Sequence, residues 1–182
     1  MRGSDRRVRI SKFLSYVLRH EPGAVGVELD PGGWADVDAL LEGARREGRQ
    51  LDREDLEWVI EASDKQRFEM SEDGRAIRAR YGHSVPVDLE LEPQSPPELL
   101  FHGTSERALD SIMERGLQPG SRNLVHLSPD RATAREVGAR HGRPVVLQVA
   151  AAEMQSDGYH FFHPAEVIWL VPQVPPEYLS ID

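Results

Sequence analysis

Several short clusters in this 182-residue chain combine side chains able to hold an anion or move a proton. Leu18-Arg19-His20 is followed by Glu21-Pro22, and Lys65-Gln66-Arg67-Phe68 comes just before a run of strand-like residues. Arg78-Ala79-Arg80-Tyr81-Gly82-His83-Ser84 lies further on, then Phe101-His102-Gly103-Thr104, His126-Leu127-Ser128 and Arg140-His141-Gly142-Arg143. An arginine presents a planar fork of donors that fits a phosphate at two points, and a histidine changes charge near neutral pH. In His102-Gly103-Thr104 the glycine permits close approach of a ligand to the backbone, while His and Thr offer donors for ribose hydroxyls or a pyrophosphate. Four of the clusters also have a plainer explanation. Arg19-His20 and Arg140 to Arg143 sit where helix C-terminal dipoles would be met by positive charge, Lys65 to Phe68 fits a solvated turn, and Arg78 to Ser84 fits a polar strand end. His160-Phe161-Phe162-His163 lacks carboxylate or Cys partners at ligand spacing and reads as structural, so no metal site is expected. The GxGxxG and GxxxxGK[ST] phosphate loops are absent, so a nucleotide site here is of neither Rossmann nor P-loop type.

The elements that carry these clusters are readable in outline. Ile10, Phe13, Leu14, Val17 and Leu18 make one apolar helix face, with Lys12, Ser15, Tyr16 and Arg19 on the polar side and Pro22 stopping the helix soon after. Val27-Glu28-Leu29 reads as a short extended piece before the turn Asp30-Pro31-Gly32-Gly33. Asp36 and Asp52 are placed to cap a second and a third helix, and Ser71-Glu72-Asp73-Gly74 is the loop of a hairpin. Three helices and a hairpin follow the winged-helix order, a variant of helix-turn-helix. Four prolines and three acids between Ser84 and Pro97 mark an extended connector, which divides the chain into lobes at 1–84 and 98–182 joined by 85–97. The second lobe is mixed: a strand at Glu98 to Phe101, a helix over Glu106 to Arg115, an extended Asn123 to Leu127, a helix capped by Ser128 or Asp130 that reaches about Arg140, and strands at Val145 to Val149 and Val167 to Val171.

Composition narrows the class. The chain has no cysteine, which excludes disulfides, iron–sulfur clusters and thiol catalysis. No apolar run approaches the roughly 20 residues of a spanning helix, and no apolar h-region follows the basic residues near Met1, so a soluble, cytoplasmic protein without membrane attachment is expected. Net charge is −9, which argues against indiscriminate nucleic-acid binding through a global basic field. The charge is uneven: residues 1–84 are close to balanced at −2, with 15 of the 22 basic residues, whereas residues 85–182 carry −7.

In order along the chain, Leu14-Ser15 through Arg19-His20-Glu21-Pro22, Asp64-Lys65-Gln66-Arg67-Phe68, Gly82-His83-Ser84, Phe101-His102-Gly103-Thr104 and Val125-His126-Leu127-Ser128 resemble the motifs of the NAD-dependent tRNA 2′-phosphotransferase family. The resemblance runs from about residue 10 to residue 172. It implies an α+β chain with an N-terminal winged-helix lobe that binds RNA and a C-terminal ADP-ribosyltransferase-like lobe that binds NAD. It also implies an activity: an internal RNA 2′-phosphate, of the kind left at a tRNA splice junction, is transferred to NAD through an ADP-ribosylated RNA. The products are 2′-OH RNA, nicotinamide and ADP-ribose 1″,2″-cyclic phosphate.

By motif, the family's catalytic Arg, His, Arg and Arg fall on Arg19, His20, Arg67 and Arg140, with Arg143 the other candidate for the last. His102, Gly103, Thr104, His126, Leu127 and Ser128 are implied to line the NAD pocket, and Lys12, Lys65, His83 and Ser84 to contact RNA. NAD is the co-substrate and no metal is needed; a monomer is expected. One position departs from the pattern, since the residue before Val125, often His in the family, is Leu124. Two other readings compete. A one-step ADP-ribosyltransferase acting on terminal nucleic-acid phosphates or on protein would share the NAD lobe. A winged-helix regulator that only senses NAD would need a basic recognition helix, yet residues 52–62 are strongly acidic.

Overall fold

The computed structural model describes residues 3–182, and the chain is an α+β protein that divides into two compact units, one reaching to Glu90 and the other running from Leu91 to Asp182.

In the first unit, α1 (Ser4–Arg19) buries Ile10, Phe13, Leu14, Val17 and Leu18, the apolar stripe its spacing predicts. It also buries Arg19, which the same spacing assigns to the polar side. After α1 a single 3-10 turn, Pro22–Val25, closes on Gly26 in the left-handed region. No strand forms at Val27 to Leu29; β1 (Ala35–Asp36) comes just after the expected turn instead. The Asp36 side chain accepts from the Ala39 N–H and starts α2 (Val37–Arg46). Asp52 begins α3 (Arg53–Glu61) with a reciprocal capping box, each aspartate of the Asp52/Asp55 pair accepting from the other's N–H. The hairpin β2 (Phe68–Met70) and β3 (Ala76–Ala79) turns through Gly74 at φ +70°. β3 is the centre of an antiparallel sheet ordered β1-β3-β2. Leu14, Leu18, Leu40, Leu56 and Ile77 fill the core between this sheet and the helices.

The second unit opens with β4 (Pro93–Gln94), β5 (Leu100–Ser105), α4 (Glu106–Arg115) and β6 (Val125–Leu127). It continues through α5 (Arg131–Ala139), β7 (Pro144–Val149), α6 (Ala151–Ser156), β8 (Phe161–Ala165), β9 (Ile168–Val171) and β10 (Leu179–Ile181). Two antiparallel sheets result, β10-β7-β5 and β4-β8-β9-β6. They meet where Phe101 of β5 exchanges both backbone hydrogen bonds with Ser128, just past β6. Leu100, Leu127, Leu147, Met154 and Phe161 form the core. Asp130, not Ser128, caps α5 by accepting from the Thr133 N–H. His163 is structural, its ring stacked on Trp169 at 4.2 Å and its Nδ1 bonded to the Ile168 carbonyl. Among the described residues no helix is long and apolar enough to cross a membrane.

Candidate functional site

α1 delivers two adjacent residues to different environments. Arg19 is its last helical residue and His20 its C-cap, and the N–H groups of His20 and Glu21 both donate to the Tyr16 carbonyl. Arg19 turns inward and is 9% exposed, its guanidinium carbon 4.9 Å from the centre of the Tyr81 ring and 5.8 Å from that of Phe68. Those rings offer their negative faces to the cation. Gly82, at φ +88°, makes the room: a Cβ there would lie 3.3–3.4 Å from the Arg19 side chain. The Tyr81 phenol donates to the Lys65 carbonyl at 2.7 Å. Burial raises its pKa while the Arg19 and Arg67 guanidinia pull it back, so both cations act on this ring.

The segment after β3 closes over the end of α1. The Arg19 carbonyl accepts from the N–H groups of Ser84 and Val85 at 2.9 and 3.4 Å, and the Ser84 hydroxyl lies 2.9 Å from Nδ1 of His20. Between them in sequence, His83 is only 3% exposed and neither of its ring nitrogens finds a partner among the described residues. Burial first, then the charges of Arg19, His20 and Arg78, hold its pKa down to about 4. His83 is therefore a neutral wedge behind the site.

His20 opens onto a cleft of about 500 Å³ between α1 and the turn that follows α3. Lys12, Lys65 and Arg67 line it, and among the described residues none of the three has a carboxylate within 4.0 Å. Ser11, Ser15, Ser63 and Tyr16 share the walls, the Ser63 hydroxyl being buried, and Asp64 is the one acid among the lining residues. Cations left without counter-charges in a concave site, beside hydroxyl donors and a histidine, are suited to a phosphate, which they can bind and polarise.

In the second unit His102-Gly103-Thr104 lies inside β5 rather than after it. His102 Nδ1 is 3.0 Å from the His126 carbonyl, so that nitrogen donates and Nε2 keeps its lone pair. Burial lowers the His102 pKa, opposed by this bond and aided by the charge of His141, which keeps the ring neutral at neutral pH. His126 in turn places its own Nδ1 3.0 Å from the Leu124 carbonyl. Gly103 has a packing role that the sequence reading did not give it: a Cβ there would come within 1.6 Å of the Ala134 carbonyl oxygen and 2.8 Å of the Gly138 nitrogen. The bare strand lets α5 lie directly on β5. Thr104 and Ser128 are buried.

The structure thus gathers Lys12, His20, Lys65 and Arg67 around one cleft, with Arg19, His83 and Ser84 packed behind His20. It gathers His102, Gly103, Thr104, His126, Leu127 and Ser128 along the facing edges of β5 and β6. Arg140 belongs to the second unit as the exposed C-cap of α5. The alternative, Arg143, is engaged with Glu106 at 3.2 Å, while Arg140 forms no ion pair among the described residues. Tyr16 and Ser63 were missed by sequence reasoning. Tyr16 was legible only as a polar-face residue one helical turn before His20, and Ser63 gave no signal.

A cationic cleft of about 500 Å³ on one unit and a histidine-lined strand edge on the other are the two candidate sites. Comparison gives the family. Residues 5–173 match the model of the RNA 2′-phosphotransferase, Tpt1/KptA family. A Pseudomonas fluorescens protein named "Probable RNA 2′-phosphotransferase" is 55% identical over 171 residues, covering 93% of this chain and 94% of that one. Proteins of the same name from Nostoc punctiforme and Pseudomonas aeruginosa PAO1 are 53% and 56% identical, covering 97% and 93% of each chain respectively. The chain belongs to the RNA 2′-phosphotransferase family.

Proposed function

We propose that this protein is an NAD-dependent RNA 2′-phosphotransferase, whose first unit is a winged-helix-like RNA-binding lobe and whose second is an ADP-ribosyltransferase-like lobe. The observation that carries the phosphate half of this reading is the set of cations without carboxylate partners, Lys12, Lys65 and Arg67, around His20. A phosphomonoester brings about −1.5 to −2 charges at neutral pH, and this cleft is where the chain offers charge to meet it.

The residues of the second unit fit NAD. The Phe101 N–H and C=O point to Ser128, so strand alternation turns those of Gly103 to the same edge, where a planar carboxamide can pair with one donor and one acceptor. His102 Nε2 and the Thr104 and Ser128 hydroxyls have no partners among the described residues and suit ribose hydroxyls or pyrophosphate. NAD supplies an electrophilic ribose carbon with nicotinamide as leaving group, and then the hydroxyl that takes the phosphate.

The chain's own groups do the rest. Arg67 in the cleft, with Arg19 packed behind His20, orients the phosphate and stabilises the charge that grows at phosphorus, and Arg140 is the second unit's candidate for the same task. The Ser84 hydroxyl steadies Nδ1 of His20, which leaves Nε2 to exchange a proton with the departing 2′-oxygen.

The test is RNA carrying one internal 2′-phosphate, incubated with and without NAD while phosphate and nicotinamide are followed together. The reading requires loss of the 2′-phosphate only with NAD, one nicotinamide per phosphate moved, in the presence of a chelator. Nicotinamide release that leaves the phosphate on RNA would favour the one-step transferase. Release of inorganic phosphate without NAD would make the protein a phosphatase.

A further inference from the structure

The cleft has an aromatic wall that phosphate binding does not use. Tyr16 lines it with its side chain half in solvent, the whole residue 51% exposed. Lys12 and Tyr16 are spaced i, i+4 on α1 and His20 is its C-cap, and all three line the cleft. Tyr16 lies about 6 Å along the helix axis from His20. Its backbone is fixed, because its carbonyl takes two N–H bonds at the helix end. An aromatic ring held at this level, between Lys12 and His20 and open to water, contributes nothing to the core of its own unit.

The geometry points to Tyr16 as a stacking platform for a nucleobase of single-stranded RNA, the base of the phosphorylated nucleotide or of its immediate neighbour. This rests on the phosphotransferase reading and adds the base to the phosphate as something the protein holds. Charge complementarity selects the occupant: the lining residues include Arg7, Lys12, Lys65 and Arg67 against one acid, Asp64, which suits a polyanion carrying flat rings better than an apolar peptide. Every base has a π-face, so such a platform tolerates any sequence while rejecting a base locked inside a duplex. The substrate class that follows is 2′-phosphorylated RNA with the marked nucleotide unstacked, in a loop or a single strand.

The experiment is a double-mutant cycle on the whole chain. Binding of a short 2′-phosphorylated RNA is measured by anisotropy, without NAD, for wild type, Tyr16→Phe and Tyr16→Ala. Each is tested against the intact oligonucleotide and against oligonucleotides that lack the base at the phosphorylated nucleotide or at either neighbour. Tyr16→Ala should weaken binding of the intact RNA about tenfold to a hundredfold. Tyr16→Phe should stay within about threefold of wild type, since the ring is kept. One abasic position should cost wild type the same factor and cost Tyr16→Ala almost nothing. If every abasic RNA weakens wild type and Tyr16→Ala equally, or if Tyr16→Phe is as weak as Tyr16→Ala, the platform is wrong. A preference for the 2′-phosphate over 2′-OH RNA is read in the same titrations. Its absence would sink the phosphotransferase reading, and the base cycle would still give its own answer.

Discussion

Ser84 holds His20 from one side while its backbone N–H holds the Arg19 carbonyl from the same side, so one residue after the hairpin fixes both ends of the dipeptide that closes α1. The hydroxyl also lies 3.5 Å from that carbonyl, and giving its proton there lets Oγ accept from Nδ1 of His20. Ser84→Ala should then lower kcat about tenfold, in line with the ~1.4 kcal/mol that a well-placed hydrogen bond can contribute, with KM nearly unchanged. Ser84→Thr should recover most of the loss. A rise in KM with kcat intact would instead mean that the hydroxyl serves RNA binding.

The cationic residues should divide by step. In the NAD-dependent reaction proposed above, attack at the ribose carbon is helped by a good leaving group, whereas transfer of the phosphate loads charge onto phosphorus and needs donors already in place. Arg67→Ala and Arg140→Ala should let ADP-ribosylated 2′-phospho-RNA accumulate on a gel time course. Changes at His102 or Thr104 should slow nicotinamide release itself. Lysine at 67 or 140 should rescue poorly, for it keeps the charge and loses the two-point geometry. Loss of activity at both arginines with no intermediate at any time would refute the division.

His83 should make the protein acid-sensitive. Its pKa is about 4 in the folded chain against 6.5 for an unperturbed histidine. Between those values the unfolded state binds a proton that the native state refuses. Stability should therefore fall as pH drops from about 6.5 to about 4, by up to ~3 kcal/mol from this residue. Urea midpoints measured across that window should slope for wild type and flatten for His83→Leu. Equal slopes for the two proteins would show that another group carries the effect.

Gly103→Ala should destabilise the second unit by at least ~3 kcal/mol, because its Cβ would press on the α5 backbone with no side-chain end to yield. Thermal unfolding followed by circular dichroism should show a Tm lowered by roughly 6 °C or more. A Tm within a degree of wild type would mean that α5 shifts easily and that the contact with β5 matters little.

The parts legible in the sequence were those set by near neighbours. Asp36, Asp52 and Asp130 cap the helices they precede, and Gly116 ends α4. Three of the short strands were not legible. β1, β4 and β10 have two or three residues each and exist only through partners far along the chain. β8 carries Pro164 and a register shift against β9, both of which weaken a strand signal. The site divides in the same way. The clustered Arg, His, Lys and Ser types marked the right segments, but burial of Arg19 depends on Phe68 and Tyr81, about fifty and sixty residues away. Helical spacing alone could only put that residue on the polar face.

The contact between Arg19 and Gly82 ties the history of two positions together. Any side chain at 82 must press to 3.3–3.4 Å of the Arg19 side chain and must also adopt a left-handed backbone. A lineage keeping the arginine thus exchanges this glycine only against both a tight contact and a strained backbone. A descendant that loses Arg19 is released from one of those two constraints only. Asparagine, the side chain that best tolerates the left-handed region, is the first replacement to expect at 82 in such a descendant.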